Sequence, residues 1–115
     1  SSVTLDSLQS PNHLELSREK LVDLLRVSMN YWERYSGKGK TELAEESKCW
    51  RVYLDGGTVK TRTLDKYLSI KTLPENPRWR SVIRTANFVM AKCTMNEEDQ
   101  QSLSALIREV EERFS

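Results

Sequence analysis

The 115-residue sequence is poor in the residue types that most often mark a reactive site: one histidine, two cysteines, four glycines and three prolines. Its only histidine, His13, lies in a Ser-rich opening stretch with no neighbouring nucleophile or orienting acid, so triad chemistry has no foothold. Cys49 and Cys93, forty-four positions apart, cannot join that single histidine in a four-ligand zinc site. Nor can two cysteines build a disulfide framework. The reading taken is two free thiols in core-directed elements, with a single Cys49–Cys93 bridge as the alternative. No apolar run approaches the ~20 residues that span a bilayer. The start lacks the charged and apolar regions of a signal peptide. An intracellular protein of cytoplasm or nucleus is expected, with no membrane partner.

Glycine-rich phosphate loops are also missing. Ser36-Gly37-Lys38-Gly39-Lys40-Thr41 ends like a P-loop, but Arg34 stands where the leading glycine is needed, and the segment follows a predicted helix rather than a strand. Nucleotide hydrolysis is rejected on that ground. Carboxylates gather at helix starts and on exposed faces, where they cap and solvate, so a glycosidase-like pair is unsupported. No catalytic residue, cofactor or metal is assigned, and the chain is read as a non-enzyme.

What is abundant is charge, unevenly spread. Residues 1–47 carry six basic and eight acidic side chains, residues 48–92 ten and three, and residues 93–115 two and six. The net charge of +1 therefore hides a basic centre between acidic ends, and the centre is where an anionic partner would bind.

Hydrophobic spacing supplies the fold class. Residues 1–13 read as a linker-like segment in which Leu5 and Leu8 tuck against the domain, and residues 14–115 as a single domain. A first helix is predicted from Ser17 as cap to Tyr35, with Leu21, Leu24, Leu25, Ser28, Met29 and Trp32 on one face and Gly37 ending it. Thr41 is predicted to cap a short helix through Ser47. Strands are predicted over 50–54 and 58–62, joined by Asp55-Gly56-Gly57, with Trp50, Val52 and Leu54 facing helices. A short helix capped by Thr63 follows. Asn76 and Pro77 are predicted to open the most strongly apolar helix, whose stripe is Trp79, Val82, Ile83, Ala86, Val89, Met90 and Cys93. Thr94 or Asn96 caps the last helix, with Leu103, Leu106, Ile107, Val110 and Phe114 inward. The fold class is α+β, mainly helical: about five helices with one β-hairpin packed on them.

Function is read from the basic centre. The expected role is a non-catalytic protein-interaction module of a larger regulatory or scaffold protein. Lys60, Arg62, Lys66, Arg78, Arg80 and Arg84 would bind an acidic or amphipathic partner segment, Arg forks pairing with carboxylate or phosphate. The alternative is a nucleic-acid (DNA) binding domain, because a helix followed by a hairpin with Arg51, Lys60 and Arg62 resembles a winged helix in outline. Partner identity and oligomeric state are not specified by these patterns.

Overall fold

The computed structural model describes residues 2–115, with side chains described from residue 15 onward. Among these residues the order is α1 (Ser2–Ser36), α2 (Lys40–Ser47), β1 (Tyr53–Asp55), β2 (Thr58–Lys60), α3 (Arg62–Lys66), α4 (Trp79–Lys92) and α5 (Glu97–Phe114). This is the mainly helical α+β architecture with a single antiparallel hairpin. The side chains of Leu5, Leu8 and His13, on which sequence expectations fell, lie outside the described ones.

Helices α1, α4 and α5 pack on one another, and α2 closes against α1 and α4. Their apolar stripes meet: Leu21, Leu24, Leu25 and Trp32 from α1, Val82, Ala86 and Val89 from α4, Leu103 and Val110 from α5 are all fully buried. Each buried Leu or Val among them contributes about 1.5–3 kcal/mol relative to exposure, so this three-helix contact dominates stability. Ser28, buried in the same stripe, satisfies its hydroxyl on the Leu24 carbonyl at 2.7 Å. Cys93 is buried and Cys49 half-buried, and both are free thiols. Burial pushes the Cys93 thiol above its ordinary range.

Helix ends differ from expectation in instructive ways. Ser17 is not a cap: α1 begins at Ser2, and Ser17 is buried on the stripe that continues through Leu21, Leu24 and Ser28. A small hydroxyl residue at that spacing fits a helix–helix contact as well as a helix start. Gly37 does end α1, with φ of +74°. Gly39 rather than Thr41 caps α2, its N–H bonded to the Glu42 carboxylate at 2.9 Å. Thr61 rather than Thr63 precedes α3, its hydroxyl 3.2 Å from Asp65. The start of α4 shifts from Pro77 to Trp79 because Tyr67 supplies the cap. Its hydroxyl accepts the Arg78 N–H at 2.7 Å, while the Trp79 N–H bonds the Pro77 carbonyl. Of the two candidates Thr94 and Asn96, Asn96 caps α5, its side-chain oxygen accepting the Asp99 N–H at 2.8 Å.

The hairpin is shorter than predicted. Tyr53 pairs with Lys60, Leu54 with Val59 and Asp55 with Thr58, around Gly56 and Gly57, whose φ of +59° and +81° turns the chain. Trp50 and Val52 pack on the core, but they precede the strand. Leu54, expected beside them, is 80% exposed and faces Val59 across the ribbon instead. The paired strands are largely exposed, with the core contacts made by Trp50 and Val52 before them and an ion pair from Asp55 to Arg62 of α3.

Candidate functional site

The base of that hairpin, α3 and the start of α4 enclose an open cavity of about 610 Å³. Three segments deliver four cations to its wall: Lys48 and Arg51 from the connection between α2 and β1, Lys66 at the end of α3 and Arg78 at the cap of α4. Among the described residues no carboxylate lines it. Neutral donors and acceptors from Thr63, Asn76, Ser81 and Tyr53 complete the rim.

The floor is rigid. Trp50 and Tyr67 meet edge to face with ring centroids 4.9 Å apart, an arrangement aromatic quadrupoles favour. The Trp50 indole N–H donates to the Thr85 hydroxyl at 2.8 Å, and that hydroxyl donates to the Ser81 carbonyl at 2.8 Å. Tyr67 in turn caps Arg78. Opposite, the Arg18 guanidinium clamps the loop before α4 through the carbonyls of Leu73, Pro74 and Glu75 at 3.1, 2.8 and 3.2 Å. The cations therefore stand on a fixed frame.

Two observations mark the cavity's electrostatics. The Tyr53 hydroxyl is held below its ordinary range, first by a hydrogen bond with Thr63 and further by Arg51 and the charge of Lys66, against the opposing effect of burial. A positive surrounding favours the phenolate. Lys48 is the single non-glycine residue with positive φ among those described, at 59°. The left-handed conformation costs an L-residue about 1–2 kcal/mol, and glycine is the usual occupant at such a helix end.

The exposed face of α4 adjoins this cavity. Arg80, Arg84, Asn87 and Ala91 recur at spacings of four and three, and all are exposed. Arg80 rests over the Trp79 ring, 4.6 Å from its centroid, and Trp79 stacks on Phe114 at 6.0 Å. Trp79 is thus an anchor of the α4–α5 contact.

The six cations singled out from the sequence do not form one cluster. Lys66 and Arg78 line the cavity. Arg80 and Arg84 flank a separate shallow depression of about 210 Å³ with Ile83 and Glu111. Lys60 is exposed on β2. Arg62 is held by Asp55 at 2.9 Å. Lys48 and Arg51, absent from that selection, complete the cavity. The signal available for them was a cation on either side of the buried Trp50, in Lys48-Cys49-Trp50-Arg51.

No group of His, Cys, Asp and Glu among the described residues could hold a metal ion. No helix among them is long and apolar enough to cross a membrane. No protein-family model and no curated protein matches the chain. A solved structure does: the DNA-binding domain from the sensor histidine kinase ChiS of Vibrio cholerae, 39% identical, with a TM-score of 0.82 over 89% of this chain and 95% of that one. This overturns the expectation of a protein-interaction module for an acidic partner, because the similarity is to a nucleic-acid binder and extends over nearly the whole of both chains. The basic centre that suggested an acidic protein segment suits a polyphosphate equally well, and charge counting alone could not separate them. With that identity over that length, the chain belongs to the family of the ChiS DNA-binding domain.

Proposed function

We infer that this chain is a non-catalytic DNA-binding domain acting inside the cell. The observation that carries the reading is its 39% identity and 0.82 TM-score to a DNA-binding domain. The geometry supports it. The exposed face of α4, with Arg80, Arg84 and Asn87 on one stripe, has the chemistry to read a major groove, where Arg reads guanine and Asn reads adenine. Beside it, Lys66 and Arg78 in the cavity face the phosphate backbone, and Lys60 on the exposed hairpin extends the contact along the duplex. Arg62, tied to Asp55, stiffens the hairpin.

Fluorescence anisotropy with labelled duplex at 50 and 200 mM salt tests this. The expected result is binding at low salt that weakens steeply at the higher salt, by roughly tenfold or more, as released counterions require. Absence of binding to any duplex in low salt would overturn it.

A further inference from the structure

Not every cation of the molecule is free to meet a ligand. Arg34 pairs with Asp99, Lys38 with Glu46, Lys40 with Asp65 and Arg62 with Asp55. The four around the cavity are different: none of Lys48, Arg51, Lys66 and Arg78 has an ion-pair partner among the described residues, and the wall that holds them contains no acid. Four like charges around one concavity repel each other, a cost that an anion in their midst would reverse. Lys48 adds a second cost by accepting a left-handed backbone to stand there.

We propose that this cavity is a phosphate seat, chemically separate from the α4 stripe that meets the bases. As an assignment of role within the DNA contact it rests on the reading above, but phosphate recognition itself does not. The Arg51 and Arg78 guanidinium groups offer planar forks that match two phosphate oxygens, and Lys48 and Lys66 add point charges. The hydroxyls of Thr63 and Ser81 supply neutral donors. Trp50 and Tyr67, both buried and packed edge to face, give these groups a fixed aromatic floor. At about 610 Å³ the site has the size of a small-ligand pocket, enough for a phosphodiester with its adjoining sugar.

The source of the phosphate, a DNA strand or a free small molecule, is separated by a two-part experiment on the full chain. Sodium pyrophosphate is titrated into ¹⁵N-labelled protein, and duplex affinity is then measured across a salt series. The seat predicts amide shifts confined to Trp50, Arg51, Lys66, Arg78 and Ser81, and their loss in Lys66→Gln/Arg78→Gln. It also predicts that this double variant flattens the salt slope by roughly two, about 0.9 for each lost contact. Arg108→Gln, an exposed change on α5, leaves both readouts as in wild type. Lys48→Gly, in which glycine suits the backbone better than lysine, repeats the test in a variant whose fold is not at risk. Cavity shifts without duplex binding keep the seat, assign it to a free phosphate compound and remove the DNA reading. Duplex binding with an unchanged slope in the double variant, or pyrophosphate shifts scattered over the surface, overturns the seat and leaves the DNA reading standing.

Discussion

Two ends of the molecule treat positive charge in opposite ways. Where α1 meets α5, cations have acids to answer them: Arg34 and Asp99 lie 3.3 Å apart, the Tyr35 hydroxyl donates to the same carboxylate, and Lys20 and Arg113 both approach Glu109 at 3.5 Å. At the cavity beside α4, four cations stand around one concavity with no acid among the described residues of its wall. The first arrangement ties helices together and leaves little field outside. The second leaves a field that no acid among the described lining residues neutralises. Residue type is the same in both places, so partnership rather than abundance separates a structural charge from a binding one.

Changing charge on each side separates the two regions most visibly. Lys66→Glu/Arg78→Glu removes two charge-assisted contacts of about 1.5–3 kcal/mol each, so low-salt duplex affinity is expected to fall roughly a thousandfold with thermal unfolding little changed. Asp99→Asn should do the reverse. It loosens the α1–α5 tie, lowering Tm by roughly 4–8 °C, while anisotropy titration of the folded protein gives wild-type affinity. Equal affinity losses in the two variants would erase the distinction.

A smaller effect comes from Lys48. Replacing it with glycine relieves a left-handed backbone and is expected to raise stability by about 1 kcal/mol in denaturant unfolding, while duplex affinity falls severalfold. Stability gained at the expense of binding is the pattern expected of a residue held there for function.

The smallest effect is in alkaline pH. The Tyr35 hydroxyl is pushed above 10.0, first by its bond to the Asp99 carboxylate and then by burial. A raised folded-state pKa means that its stabilisation is complete below the unfolded value and is lost as pH climbs through the folded one. Tyr53 is displaced the other way, so its ionised form is the one favoured by folding, and that contribution grows as pH rises through its lowered value. Ultraviolet difference titration should therefore show Tyr35→Phe removing a phenol that ionises late and Tyr53→Phe one that ionises early.

Much of the fold was legible in the sequence, and the reason is periodicity. The stripes of α4 and α5, the Asn96 cap and the Gly56-Gly57 turn depend on near neighbours, and near neighbours are what spacing reports. Features made by distant partners were not legible. Tyr67 capping Arg78, Ser17 entering a helix contact, and Leu54 turning toward Val59 rather than the core each depend on where another element lands. The site follows the same rule. A basic centre was visible, but the cavity gathers cations from positions 48, 51, 66 and 78, while Arg62 and Asp55, seven apart, neutralise each other. Counting charges along the chain cannot tell those fates apart, nor decide between a protein acid and a nucleic-acid phosphate as partner.

The most direct test of the account is a map of backbone amide shifts on adding a duplex to ¹⁵N-labelled protein. Perturbations should trace the unpaired cations and the open helix face, from Lys48 to Lys66 and from Arg78 to Asn87, and leave α5 from Glu97 to Phe114 unmoved. A map centred instead on the charge-paired end, at Arg34, Asp99 and Glu109, would contradict it.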